Sequence, residues 1–362
     1  MSDRTLGVLI HGAGWVSTQH IDAFVRNPKT RVVAICSRTL EGARKRAAES
    51  KLNVPCFDDY RQALAQPDVD IVAVCTPQHL HAANTIAAAE AGKHIVIEKP
   101  VAMNLSDMRA MQAAVRKAGV RTVVSFVLRW NPLFQELKRL AAAGTFGQVY
   151  CVETEYQSYC GDWWGGYKDG RTRERGGSAF IVGGCHAVDA LRWFASTAEF
   201  EAADAVEVFG FQGGQRGDSP VQYNPLNHTW HEGDPLEFPG LEMALVRFEN
   251  GVLGKVAVNF ECIQPYTFPL EIFGDKGSVK DNRIWSHKFK DQKAWKELDC
   301  TRPDSSDVSH HPFQAQMDHF VDCIQDGRES HCNLDDAAKT HEIIFALQHC
   351  YETRKPVKLP LQ

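Results

Sequence analysis

The feature that most constrains the fold is an alternation, over the first 126 residues, of short apolar runs with segments of helix length. Leu6–Ile10, Arg31–Cys36, Ile71–Cys75 and His94–Ile97 are apolar at nearly every position rather than at every second one, and Arg121–Phe126 is a further strand candidate around Val123-Val124. A strand of that kind is buried on both faces, which is the condition of a parallel sheet covered by helices. The intervening stretches, about Val16–Arg26, Leu40–Lys51, Tyr60–Ala65, Leu80–Ala91 and Leu105–Ala118, read as helices, and Gly92 and Gly119 stop the last two. A short run at Val54–Phe57 adds a further strand candidate. The expected fold is α/β, beginning with a doubly wound parallel sheet.

After about Pro132 the grammar changes. A helix over Leu133–Ala143 precedes a strand at Val149–Tyr156, a loop rich in Trp, Tyr and Gly over 157–170, and a helix candidate at Ser178–Ala195. Residues 201–298 read mostly as strands, at Ala205–Phe211, Leu241–Phe248, Val252–Phe260 and Phe268–Phe273, with an irregular insertion over 212–240. Two helices, near Phe313–Gln325 and Ala337–Thr353, follow. Strands in series predict a large, mainly antiparallel open sheet, so the second domain is expected to be α+β. With 362 residues there is length for two domains, 1–128 and 129–362, and the last helix can pack back on the first domain.

The formal charge of −5 offers no basic stripe for a phosphate backbone, and no apolar run approaches the ~18 residues of a membrane span. Nucleic-acid and membrane partners are therefore not expected. Met1-Ser2-Asp3-Arg4 leads straight into the first strand without the pattern of a secretory signal. Eleven cysteines, odd in number and without a C-x-x-C pair, read as reduced thiols of a cytoplasmic protein.

The sharpest motif is Gly12-Ala13-Gly14-Trp15-Val16-Ser17, directly after the first strand and opening a helix. Glycines there permit a tight turn and close approach of backbone amides to a diphosphate, and the helix N-terminus adds partial positive charge. Ser17 fills the third position, usually a glycine. An acidic residue at the end of the second strand would bind the adenosine ribose hydroxyls, but Cys36-Ser37-Arg38 stands there with no carboxylate before Glu41. A hydroxyl and a guanidinium suit a 2′-phosphate, so the cofactor expected is NAD(P), leaning to NADP; an arginine there can also stack on the adenine or cap a helix. At the tip of the fifth strand stands Glu98-Lys99-Pro100, where a lysine can exchange a proton with a substrate oxygen.

Gly12–Ser17, Thr76-Pro77 followed by His79 and His81, Ala91-Gly92-Lys93-His94 and Glu98-Lys99-Pro100 together resemble the glucose–fructose oxidoreductase / inositol dehydrogenase / rhizopine catabolism (Gfo/Idh/MocA) family. The resemblance covers nearly the whole chain. It implies an oxidoreductase that moves hydride between a nicotinamide cofactor and a CH–OH or C=O group of a sugar, cyclitol or related polyol. It implies a homodimer or homotetramer formed through the C-terminal sheet. It assigns Lys99 to catalysis, places Thr76, Pro77, His79, His81 and Glu98 with Gly12, Ala13, Gly14, Trp15, Val16, Ser37 and Arg38 in the cofactor site, and suggests a cis Lys99–Pro100 peptide.

The family's second catalytic stretch is a glycine-led helix with Asp and His four apart, which corresponds to Gly176–Asp189. His186 matches the His, as general base or its orienting partner, whereas Val182 stands where the Asp belongs. Either Lys99 and His186 manage the proton without it, or Tyr156, Tyr159 or Asp162 substitutes, or the chemistry differs. The missing Asp motivates a second reading, a tightly held NAD used transiently in elimination, glycoside hydrolysis or epimerisation; a third, a non-catalytic dinucleotide sensor, follows from the resemblance of a galactose-gene repressor to this family. Arg129, Trp130, Tyr156, Tyr159, Asp162 and Trp163 are the further candidates for substrate contact, since sugars stack on aromatic rings and pair their hydroxyls with polar groups. Asp189 can pair with His186 or Arg192. His228, His231 and His310-His311 show no metal-ligand spacing, and no metal is expected.

Overall fold

The structure, a computed structural model, describes residues 4–214, 219–300, 302–303 and 311–362. The chain divides into two compact units: residues up to Val127 with Pro312–Ala338, and Leu128–His311 with Lys339–Gln362.

In chain order the first unit begins with β1 (Leu6–His11), α1 (Val16–Arg26), β2 (Thr30–Cys36), α2 (Leu40–Glu49) and β3 (Cys56–Phe57). It continues with α3 (Tyr60–Leu64), β4 (Ile71–Val74), α4 (His81–Glu90), β5 (His94–Ile97), α5 (Leu105–Ala118) and β6 (Thr122–Val124). The six strands form one parallel sheet in the order β3-β2-β1-β4-β5-β6. Val8–Ile10, Ile71–Val74 and Ile95–Ile97 are almost wholly buried, as strands covered on both faces must be. The order reverses between β1 and β4, and ligands bind at the carboxyl ends of strands at such a switch point. The tip of β1 leads into Gly12, that of β4 into Cys75-Thr76-Pro77, and that of β5 into Glu98-Lys99.

The second unit begins with α6 (Pro132–Ala142), β7 (Val149–Gln157), the single turn α7 (Tyr167–Gly170) and α8 (Cys185–Ala195). Strands β8 (Ala205–Gly213), β9 (Val221–Asn224), β10 (Thr229–Glu232), β11 (Leu241–Phe248) and β12 (Leu253–Asn259) follow. Next come β13 (Leu270–Gly274), β14 (Gly277–Lys280), β15 (Arg283–Ser286) and β16 (Lys296–Glu297). Later in the chain stand α9 (Phe313–Asp326), which belongs with the first unit, α10 (Leu334–Thr353), which starts in the first unit and continues in the second, and β17 (Val357–Lys358). Nine strands make a sheet ordered β16-β15-β14-β13-β7-β12-β11-β8-β17, antiparallel except for the β7–β12 pair. The stretch 212–240, expected to be irregular, contains the hairpin β9–β10.

Helix α9 belongs to the first unit, where Asn27 donates to Asp318 at 2.7 Å and Lys29 pairs with Asp322 at 2.8 Å. Residues 312–338 thus pack with the six-stranded parallel sheet, not with the strands that precede them. Their apolar face (Phe313, Met317, Phe320, Val321) has its partner there.

Candidate functional site

Gly12 has φ +116°, and a Cβ on it would lie 2.3 Å from the Cys75 carbonyl oxygen, so only glycine permits this turn. Gly14 differs: a Cβ there would meet nothing within 4 Å, because the space over the turn is open. The amides of Ala13, Gly14, Trp15 and Val16 donate to no group among the described residues. Four undirected donors at the start of an eleven-residue helix, beneath an open cradle, fit the diphosphate of a dinucleotide. Ser17 is buried and donates to the Gly14 carbonyl at 2.6 Å, which is how a serine serves in the third glycine's place. From α2, Arg46 donates to the Ala13 carbonyl at 3.0 Å and holds the turn from below.

Beside the turn, Ser37 is half-buried and Arg38 exposed, while Thr39 caps α2 by accepting the Gly42 amide at 3.1 Å. The pairing of Cys36 with Phe57 brings the exposed Asp58 alongside, a carboxylate that reading β2 by itself misses.

At the tip of β5, Lys99 is half-buried and precedes a cis peptide to Pro100. Its neighbour Glu98 faces inward. Glu98 Oε1 lies 2.7 Å from His20 Nε2 of α1, and Oε2 accepts the Lys99 amide at 3.2 Å. Burial disfavours charge on both partners, yet the Cys75 sulfur and Glu98 carboxylate raise His20 to about 10. In turn His20, Lys99 and the Ser125 hydroxyl hold Glu98 below the usual carboxylate range. His81 is buried too, with Nδ1 2.6 Å from the Pro100 carbonyl and Nε2 2.9 Å from that of Thr76. Burial lowers its pKa, so the ring is neutral and donates to one carbonyl at a time. Pro77 and His79 are exposed, and Thr76 accepts a hydrogen bond from Asn84 at 3.0 Å. The expected cofactor set therefore splits into exposed groups (Gly14, Trp15, Arg38, Pro77, His79) and buried braces (His81, Glu98).

In the second unit, the segment before α8 is a π-helical turn, Phe180–Gly184, and His186 is the second residue of α8. Such turns recur at functional sites. A Cβ at Gly183 would lie 2.9 Å from the Phe260 ring, and one at Gly184 2.8 Å from Val258 Cβ, so the paired glycines let the turn press against β12. Thr154 of β7 donates to the Ala187 carbonyl at 2.9 Å. Beneath the turn, the carboxylate of Glu242 on β11 accepts the Ala179 amide at 2.7 Å and the Tyr351 hydroxyl at 2.9 Å. Burial pushes Glu242 up to about 7 against these hydrogen bonds.

Val182 sits inside the π turn, 4 % exposed, and supplies no proton-handling group. Of its three possible substitutes, Tyr159 is buried with its hydroxyl accepting the Tyr223 amide at 2.9 Å, and Asp162 pairs with His231 at 2.8 Å. Tyr156 lies next to His186, ring parallel to ring with centroids 6.4 Å apart. Burial raises its phenol above the ordinary value, so the hydroxyl keeps its proton. Trp163 donates to the Tyr159 carbonyl at 3.0 Å, and Trp130 is buried. Arg129, expected to meet substrate, is 1 % exposed and forks onto Asp189 at 2.8 and 2.6 Å. Asp189 also accepts from Thr340 at 3.1 Å, and Thr340 accepts from Arg192 at 2.9 Å. This is a closed, paired network that anchors α8. His228 bonds to the Tyr223 hydroxyl at 2.7 Å, and His310 lies outside the described residues.

His20 and Glu242 escape notice in the sequence. Each has a signal. His20 falls on the buried stripe of α1 with Ser17, Ile21 and Phe24, and Glu242 on the inward row of β11 with Ala244, Val246 and Phe248. A polar residue on an apolar face requires a buried partner.

Residues 6–126 match the model of the oxidoreductase family with an NAD-binding Rossmann fold, and residues 134–280 that of the GFO/IDH/MocA C-terminal domain. Among curated proteins, 4-carboxy-2-hydroxymuconate-6-semialdehyde dehydrogenase of Sphingobium sp. is 25% identical over 94% of this chain and 97% of its own length. The scyllo-inositol 2-dehydrogenase (NAD(+)) of Bacillus subtilis is 23% identical, covering 84% of this chain and 82% of its own. Among solved structures, a levoglucosan dehydrogenase in complex with NADH and levoglucosan superposes with a TM-score of 0.83 at 21% identity, over 98% of this chain and 99% of that one.

Proposed function

The chain belongs to the Gfo/Idh/MocA family of oxidoreductases, and from that premise we propose that it transfers hydride between NAD(P) and a CH–OH or C=O group of a sugar, cyclitol or related polyol. The observation that carries the reading is the joint placement of the open cradle over Gly14 and of Lys99 at strand tips of one parallel sheet, flanking its switch point. The relatives' names span a cyclitol, an anhydrosugar and a semialdehyde, each named as the substrate of a dehydrogenase.

The residues divide the work as follows. The amides of Ala13 to Val16 and the N-terminus of α1 hold the diphosphate, and Arg38 with Ser37 favours NADP over NAD. The nicotinamide, when bound, supplies or accepts the hydride. Lys99 takes the hydroxyl proton during oxidation and returns it during reduction. His186 assists that transfer, and the Tyr156 phenol donates a hydrogen bond in place of the carboxylate that Val182 cannot provide. Asp162 and Trp163 line the substrate side, with the buried Tyr159 packed behind them. Eleven cysteines without a disulfide suit a reducing, cytoplasmic setting, and no helix among the described residues is long and apolar enough to cross a membrane.

The outer face of the nine-stranded sheet is where the chain self-associates. Phe211 and Met243 are cross-strand neighbours there, as are Phe209 and Leu245, and Leu245 is 63 % exposed.

Lys99→Met tests the reading. Cofactor affinity, titrated by fluorescence, should stay within about threefold while turnover on a responsive polyol falls by at least ~10²-fold, the low end for a positioned acid–base group. Undiminished turnover would remove Lys99 from the chemistry.

A further inference from the structure

We propose that two buried histidines, His20 and His81, are positioning residues that brace the Glu98-Lys99-Pro100 segment from opposite sides and so fix where the Lys99 amine stands relative to the glycine turn. The inference rests on the role given to Lys99 above.

His20 and the cradle share one helix. The undirected amides of Ala13 to Val16 lead into it, and one turn further on His20 reaches across to the tip of β5. The contact with Glu98 is 2.7 Å, with side-chain exposures of 0% and 8%. Glu98 spends its other oxygen on the main-chain amide of Lys99 itself, at 3.2 Å. The helix that holds the cofactor is thereby tied, through two hydrogen bonds, to the backbone of the lysine. From the other side, His81 opens α4 and sets its two ring nitrogens against the carbonyls of Thr76 and Pro100. Donating to one of them at a time, it ties the start of α4 either to the tip of β4 or to the residue after Lys99.

Three more groups close around the His20–Glu98 pair. The Phe313 ring packs edge-on against His20 with centroids 5.2 Å apart. The Cys75 sulfur faces the same imidazole, and the Ser125 hydroxyl faces Glu98. Gln316 donates to the Val124 carbonyl at 3.1 Å and to Ser125 at 3.4 Å. A strand tip alone would not need this investment. Burying an ion pair and a second imidazole in one small region is costly unless the geometry they enforce matters. A misplacement of ~1 Å in a reacting group can cost ~10²-fold in rate.

The experiment compares His20→Leu, His20→Gln, His81→Leu and His81→Gln with the intact protein. Each is read for turnover, for cofactor affinity by fluorescence, and for the rate at which an amine-reactive reagent labels Lys99 in the full chain, followed by mass spectrometry. Both leucine variants should lose roughly 10–100-fold in kcat with cofactor Kd changed less than about threefold, and Lys99 labelling should change at least twofold. The glutamine variants retain an N–H donor and should recover part of the loss; if a leucine variant fails to fold, its glutamine counterpart decides. Unchanged kcat and unchanged labelling would overturn the brace. So would a loss confined to cofactor affinity. Should Lys99→Met prove fully active, the assignment of Lys99 falls, yet the labelling comparison still tests whether the histidines hold the segment.

Discussion

Arg38 gains a neighbour that its own strand does not supply. Asp58 comes alongside through the β2–β3 pairing, so the 2′-phosphate reading depends on whether the guanidinium outweighs that nearby carboxylate. A hydrogen bond to a charged partner contributes about 1.5–3 kcal/mol, equivalent to roughly 10–100-fold in affinity. Arg38→Ser should therefore lower kcat/KM for NADP by at least about tenfold and leave that for NAD within about threefold. Steady-state kinetics with both cofactors checks this, and an equal fall with each would place Arg38 on the adenine instead. At this scale the sequence was legible where the backbone carries the meaning, as at Gly12, whose φ of +116° only glycine permits. It was less so where a side chain had two possible directions. Arg129 and Glu98 stand at the strand ends as the pattern requires, but each turns inward to a partner distant in the chain, Asp189 and His20.

Among the elements, the parallel strands were readable because burial on both faces leaves an unbroken apolar run, as in Ile71–Val74. The hairpin β9–β10 was not, since its strands are only four residues each and mix Gln, Asn, His and Glu among the apolar positions. Nor was the π turn at Phe180–Gly184, whose wider winding comes from packing of Gly183 and Gly184 against Phe260 and Val258 rather than from a side-chain period. That turn rests on Glu242, and the pairing has a pH signature. Glu242 binds its proton up to about 7 when folded, against an ordinary value of 4.5. Between those limits the folded state holds more proton than the unfolded one, so this group's contribution to stability falls as pH rises from about 4.5 to 7 and is constant above. Glu242→Gln keeps an acceptor for the Ala179 amide and cannot ionise. Calorimetric Tm measured across that window should fall for the parent relative to the variant; a constant difference in Tm would show that Glu242 does not titrate there.

For the molecule as a whole, the proposed self-association rests on the outer face of the nine-stranded sheet. Its inward rows are committed: Ala244, Val246, Val256 and Val258 are buried, and Gly254 leaves room for Leu191 of α8. The outward rows combine Phe209, Phe211, Met243, Leu245 and Leu253 with ion pairs, among them Lys255–Glu153 at 2.7 Å. Contiguous apolar exposure rimmed by such pairs marks a protein–protein contact. Leu245→Lys is the discriminating change. A glutamate there could pair with Lys255, its cross-strand neighbour, whereas a second lysine gains no such partner. On a lone chain, substitution at so exposed a site shifts stability by no more than about 0.5 kcal/mol. Buried in a self-contact, an unpaired ammonium costs several kcal/mol. Light scattering should therefore report a multiple of the chain mass for the parent and a clear shift towards the single chain for Leu245→Lys, with Tm of the dissociated form little altered. A parent that is monomeric at tens of micromolar, or a variant that keeps the parent's mass, would remove this face from the assembly.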